Sequence, residues 1–324
     1  MRDPILEVAN LTIHYSTRMG EVSAVENVSF SVMEGEAFGI VGESGSGKSS
    51  IALGLMRLLP ENARLLGGKI RLRGTDLAPL SEAEFRLYRG RHLAMVFQAA
   101  MNSLNPVYTA SDLIIEALQN RNPDMNHAEA RVRAAELFDL VGLDAALIDR
   151  FPHQLSGGMR QRMAIAMALS GNPEMLIADE PTTALDVIVQ DAILRNIHRL
   201  QERNKFGMVY ISHDIAVIAE VCRRMAIVYG GRIMEIGDTD AVFLQPRHPY
   251  TGALLNAFPS IVGPKRPLQL LPGESPDPLH PPSGCPFHPR CGRVLDICRR
   301  EMPPDAEYGG GHLAACFNPM ENRT

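Results

Sequence analysis

Gly42-Glu43-Ser44-Gly45-Ser46-Gly47-Lys48-Ser49 follows the apolar run Ala37-Phe38-Gly39-Ile40-Val41 and leads into a helical stretch from Ser49 to Leu59. Strand, glycine-rich loop and helix, in that order, form the context in which G-x-x-x-x-G-K-[ST] has a mechanism. The glycines let backbone N–H groups wrap phosphate oxygens, and the helix turns its positive end toward them. Lys48 then reaches the β and γ phosphates of a nucleotide, and the Ser49 hydroxyl is a Mg²⁺ ligand. The plain alternative is a glycine-rich turn with an incidental lysine, and the flanking strand and helix count against it.

Two more apolar runs end in polar residues. Met175-Leu176-Ile177-Ala178 runs into Asp179-Glu180-Pro181, and Met208-Val209-Tyr210-Ile211-Ser212 runs into His213-Asp214. Open α/β sheets place their ligands where strands end. Asp179 suits a Mg²⁺-holding carboxylate, and Glu180 beside it can polarise an attacking water. An Asp-Glu pair alone would read as a solvated turn or helix start; the phosphate loop upstream reverses that reading. Between Thr109 and Arg150 the strand signals vanish, and Ala130, Ala134, Leu137 and Val141 recur at helical spacing behind the start signal Asn126-x-x-Glu129. Ala226 to Tyr229, Gly230-Gly231 and Arg232 to Ile236 read as a β-hairpin with a two-residue turn.

The fold class expected is α/β: a phosphate-loop core with an inserted helical subdomain at about residues 100–170, followed by a small extension. The boundary falls near Asp240, because 15 of the 23 prolines and four of the five cysteines lie beyond it. Residues 1–240 are thus one domain and 241–324 the extension. A net charge of −5 lacks the basic footprint of a nucleic-acid binder, and no apolar run is long enough to cross a membrane. The first residues carry no secretory pattern, so a cytoplasmic location is expected.

Leu155-Ser156-Gly157-Gly158-Met159-Arg160-Gln161 precedes an alanine- and methionine-rich helix whose N-cap is Ser156. Alone it is a capped helix with a glycine-rich entry. With the phosphate loop and Asp179-Glu180 it resembles the signature sequence of the ABC ATPase family. The resemblance covers residues 5 to 240. It implies a P-loop ABC ATPase core in which the signature of one subunit closes over the ATP held by another. It further implies nucleotide contacts from Gly42, Ser44, Gly45, Ser46, Gly47, Lys48, Ser49 and Ser50, with Ser156, Gly157, Gly158 and Gln161 acting in trans. Gln98, after Ala94-Met95-Val96-Phe97, matches the glutamine that senses Mg²⁺ and the attacking water. Asp186 in Ala184-Leu185-Asp186 matches the loop at the dimer interface, His213 the switch histidine at the γ-phosphate, and Tyr15 the aromatic that stacks on adenine. Catalysis would fall to Glu180, His213, Lys48 and Gln98, and Mg²⁺ to Ser49, Gln98 and Asp179.

Arg247-His248-Pro249-Tyr250-Thr251, then Ala253-Leu254-Leu255 and the proline-rich tail, resemble the ATPase subunits of dipeptide and oligopeptide importers. That resemblance implies peripheral attachment to the cytoplasmic face of the membrane and a similar but different second ATPase chain. It also implies two permease subunits and an extracytoplasmic solute-binding protein. Ala99-Ala100 stands where many relatives carry an acidic residue and proline, so oligosaccharides, nickel complexes or glutathione stay open as cargo. Cys285-x5-Cys291-x6-Cys298-x17-Cys316 does not follow the spacing of a zinc ribbon. The resemblance implies a four-iron, four-sulfur cluster on these thiols, with zinc or free thiols as alternatives, in a structural role. Cys222 reads as a buried small residue. A soluble ABC ATPase of DNA repair or translation would need a coiled-coil insertion, a second cassette or a basic face, none of which is visible. A small-substrate kinase does not explain the signature or His213.

Overall fold

Ala37–Val41, Met175–Asp179 and Gly207–Ser212, the three strands expected from the sequence, are buried at every position. Continuous apolar runs of this kind belong to strands covered on both faces. By contrast, Leu6–Thr17 alternates buried with more exposed residues, as a strand with one wetted face does. The computed structural model describes residues 3–182, 187–257 and 273–321. They fall into two compact units interleaved along the chain: Met1–Leu6, Val32–Glu36 and Leu72–Val209 form one, and Glu7–Ser31, Ala37–Arg71 and Tyr210–Thr324 the other.

In the first unit, Leu93–Val96 pairs in parallel with Met175–Asp179, with Val96 opposite Ala178. Three helices, Ala110–Arg121, His127–Leu140 and Gly157–Leu169, pack on one another. Their starts are fixed locally. Thr109 with Asp112 and Asn126 with Glu129 form reciprocal capping boxes, each satisfying two otherwise orphaned amides. Ala130, Ala134 and Leu137 are buried along one face, the spacing the sequence shows.

In the second unit, Ala37–Val41 pairs in parallel with Arg224–Tyr229, whose antiparallel neighbour is Arg232–Asp238. The two strands meet at Tyr229 and Arg232 across Gly230 and Gly231, which hold φ of +55° and +77°. Both turn residues therefore take the left-handed conformation that a tight two-residue hairpin requires. The extension adds to the same ladder. Leu313–Ala315 pairs with Arg232–Asp238, Glu235 lying opposite Ala314, and Asp305–Glu307 pairs with Leu313–Ala315 in turn.

His248 opens the helix Pro249–Ala257 and is buried, its Nδ1 accepting from the Tyr250 amide at 3.0 Å. Burial pushes its pKa down to about 3. The folded state thus binds the neutral ring while the unfolded chain protonates it near the usual histidine value. The stability it contributes is present above about pH 6.5 and is lost as the pH falls toward 3. Urea midpoints should fall across that window, and a His248→Gln chain should show a shallower fall.

Candidate functional site

In the second unit the loop leaves Val41 beside the Arg224–Tyr229 strand and must pass close to it. A Cβ on Gly42 would sit 2.2 Å from Val228 O, and one on Gly47, at φ +104°, 2.2 Å from Ala24 O. Both positions therefore demand glycine. Gly45, at φ +78°, has nothing within 4 Å of its would-be Cβ, so the crest of the loop is open to an approaching ligand. Lys48 is 5% exposed and folds back into the loop, donating to Gly42 O at 2.8 Å, Glu43 O at 2.7 Å and Ser46 Oγ at 3.4 Å. Helix Lys48–Met56 starts from Gly47, with Ser49 exposed and Ser50 half-buried on its first turn; Ser44 is exposed and Ser46 buried. The Tyr15 hydroxyl lies 3.1 Å from Ser50 Oγ. His213 is exposed just beyond Gly207–Ser212, ahead of the Ile215–Val221 helix that Asp214 caps.

In the first unit the register of the two parallel strands brings Gln98 and Glu180 together past their ends: Gln98 Nε2 donates to Glu180 Oε2 at 3.2 Å. Glu180 has φ of +46°, a left-handed backbone that costs a non-glycine residue about 1–3 kcal/mol and clusters at functional sites. Asp179, one residue earlier, is 4% exposed. Ser156 caps the helix Gly157–Leu169, its Oγ accepting from Met159 N at 3.3 Å. Gly157 and Gly158 are half-buried, and a Cβ on Gly158 would come 2.5 Å from Val189 Cγ1. Gln161 is 3% exposed and its amide nitrogen makes no hydrogen bond within the described residues, so its side chain faces inward. Asp186 lies outside the described residues.

Ser49 in the second unit, and Gln98 and Asp179 in the first, each carry an oxygen donor of the hard kind that Mg²⁺ takes. The donor chemistry fits that ion.

A family profile described as ABC transporter matches residues 25–183, and one described as oligopeptide/dipeptide transporter, C-terminal region, matches residues 234–298. The dipeptide transport ATP-binding protein DppD of Escherichia coli is 42% identical over 98% of both chains. The chain belongs to the ATP-binding proteins of the ABC dipeptide/oligopeptide transport family. The oligopeptide transport ATP-binding protein OppD of the same organism is 42% identical over 98% of this chain and 94% of its own. A solved dimeric ATP-binding cassette, in a post-hydrolysis state with ADP and Pi, superposes with a TM-score of 0.66 at 30% identity, covering 72% of this chain and 98% of its own. As the sequence implied, the fold is that of an ABC ATPase.

Cys285, Cys291 and Cys298 lie within the matched C-terminal region and Cys316 beyond it. Cys285, Cys291, Cys298 and Cys316 are free, and the charges of the other three act on Cys285. Burial pushes Cys285 up to about 12 and Cys316 to about 11, and raises Cys291 as well. The Cys291 sulfur accepts from Arg293 N at 3.4 Å, and Cys285 N donates to Cys298 O at 2.9 Å. Yet among the described residues no group of three or more His, Cys, Asp or Glu side chains is arranged to hold a metal ion. The iron–sulfur cluster that the resemblance implies, with zinc as its alternative, is thus not supported by a ligand group among the described residues. Burial favours the protonated, neutral thiol at Cys285, Cys291 and Cys316. Cys222 is buried, as expected of a small core residue.

Sequence reading missed two contacts made by the extension. Arg290 forks onto the Glu43 carboxylate, at 2.7 Å and 3.1 Å. Glu235, fully buried, accepts from Arg247 N at 2.7 Å, His248 N at 2.9 Å and His312 Nε2 at 2.7 Å. Neither charged partner lies near the other in sequence, and no motif marks the pairs.

Proposed function

We propose that this chain is the ATP-hydrolysing subunit that energises import of dipeptides or oligopeptides through an ABC transporter. The observation that carries this reading is the match to DppD and OppD along nearly the whole chain, C-terminal region included. The open, glycine-built phosphate loop with its buried lysine supports it. Among the described residues no helix is long and apolar enough to cross a membrane. Membrane passage is therefore assigned to two permease subunits, served by an extracytoplasmic binding protein and a second, homologous ATPase chain, with this subunit on the cytoplasmic face.

Placement and family support the following roles. The loop amides and Lys48 take the triphosphate, and Tyr15 takes the adenine. Glu180, oriented by Gln98, accepts a proton from water as that water attacks the γ-phosphorus. The bond to the bridging oxygen breaks, giving ADP and phosphate, while His213 contacts the γ-phosphate. Mg²⁺, when bound by Ser49, Gln98 and Asp179, supplies charge neutralisation to the phosphates. The helix start at Ser156, Gly157 and Gly158 offers its amides to the ATP of the partner chain.

Reconstituted with its permeases and binding protein, the complex should hydrolyse ATP faster when a dipeptide or short oligopeptide is supplied. Stimulation by an oligosaccharide, a nickel complex or glutathione, with none by peptides, would reassign the cargo.

The finer cofactor proposal is an iron–sulfur cluster on Cys285, Cys291, Cys298 and Cys316, in a structural role. Four free thiols gathered in one lobe support it; their lack of a preformed arrangement weighs against it, and no step is routed through it. Anaerobic purification should give a brown protein with about four iron and four acid-labile sulfide per chain. Colourless protein carrying zinc, or no metal at all, ends the proposal.

A further inference from the structure

We propose that Arg290 is a positioning residue for ATP: from the cysteine-bearing extension it neutralises Glu43 and so holds the phosphate loop ready for a triphosphate. This deepens the assignment of residues 42–49 to ATP and rests on it.

Every polar group of Glu43 is engaged, and most of its partners come from beyond residue 240. Its N–H donates to the Tyr250 hydroxyl at 3.0 Å. Its carbonyl accepts from Lys48 Nζ at 2.7 Å and from Ser46 N at 3.2 Å. The carboxylate takes both arms of the Arg290 guanidinium, and Oε2 also accepts from Ser275 Oγ at 3.1 Å. Arg290 Nη1 additionally donates to the Tyr229 hydroxyl at 3.2 Å, and the guanidinium lies 5.8 Å from the centre of that ring. The Arg290 side chain is 7% exposed and that of Glu43 22%. This is a desolvated, bidentate pair, unlike the exposed ion pairs that contribute little.

Its placement serves binding. A carboxylate on the second residue of a loop that must accept a triphosphate repels its own ligand unless it is neutralised, and a planar fork does that while fixing the carboxylate's direction. Arg290 is itself held from below. It sits between Cys285 and Cys291, and Phe287, three residues earlier, packs against Tyr229 and Tyr250 with ring centres 5.3 Å from each. The aromatic cluster that orients Arg290 therefore also presents the Tyr250 hydroxyl to the loop. The lobe thus grips Glu43 at both its backbone and its side chain.

The test titrates a fluorescent ATP analogue into the full-length chain and measures Mg-ATP turnover. Arg290→Ala should raise the analogue's Kd and the KM for ATP about tenfold or more, with kcat at saturation nearly kept. Arg290→Lys, a point charge without the fork, should recover part of the loss. The deciding variant adds Glu43→Gln to Arg290→Ala. Removing the stranded carboxylate should restore affinity to within about threefold of the starting chain, a recovery that general damage to the extension would not give. Should Arg290→Ala fail to fold, Arg290→Gln with and without Glu43→Gln carries the same comparison. Unchanged affinity in the single variant, or a loss that Glu43→Gln does not relieve, overturns the assignment. Lys48→Ala is the control for the underlying reading: if it binds the analogue as the unaltered chain does, the phosphate loop itself is misassigned and the brace falls with it.

Discussion

Replacing Glu180 with glutamine is expected to slow ATP turnover by about 10²–10⁴-fold, the usual contribution of a positioned general base. ATP binding should persist. Glutamine has nearly the same shape, so it can still meet Gln98, whose Nε2 lies 3.2 Å from Glu180 Oε2. What it lacks is a lone pair basic enough to take the proton from water. The left-handed backbone at Glu180 aims this one side chain beyond the buried strand that ends at Asp179, and the substitution leaves that backbone untouched. The loss should therefore appear in kcat rather than in KM. On the proposed closure of two chains over ATP, closed, ATP-loaded dimers should accumulate. Turnover within about tenfold of the unaltered chain would remove Glu180 from the base role.

The placement of Glu180 past the end of a buried strand was legible in the sequence because its signal is local: an apolar run, then an acidic pair. The same holds for the glycines at 42, 45 and 47, for the hairpin closed by Gly230 and Gly231, and for the Asn126 capping box. Each is fixed by backbone conformation or by partners within a few residues. The contacts that tie the extension to the phosphate loop were not legible. Arg290 and Glu43 stand 247 positions apart, and Glu235 and His312 stand 77 apart. A charged residue in a strand reads from sequence as a wetted edge, whereas Glu235 is fully buried. The cysteines fall between these cases. The family resemblance, not their spacing, implied a cluster on them, and whether thiols converge on a metal depends on burial and side-chain direction, which spacing does not carry.

The largest loss of stability from a single change outside the phosphate loop is expected at Glu235. Its two carboxyl oxygens satisfy the backbone amide of His248 and the ring nitrogen of His312, both away from water, and the part-buried amide of Arg247. Glu235→Ala strands three donors. At about 1–3 kcal/mol for each unsatisfied group, the loss should come to about 3–9 kcal/mol, a large part of the margin on which folded proteins persist. Glu235→Gln should cost less, since it keeps one acceptor oxygen while turning an amide nitrogen toward donors. Urea unfolding of the full chain measures both. A loss below about 1 kcal/mol for alanine would mean that water replaces the carboxyl group, contrary to its burial. The damage should also begin in one place. Glu235 lies in the strand that pairs with Leu313–Ala315 and holds the chain just before Tyr250, so protease should first cut the extension. Because Tyr250 and Arg290 both grip Glu43 from that extension, loosening it should weaken ATP binding before the α/β core melts. Nucleotide affinity in Glu235→Ala should therefore fall at urea concentrations where the core strands remain folded.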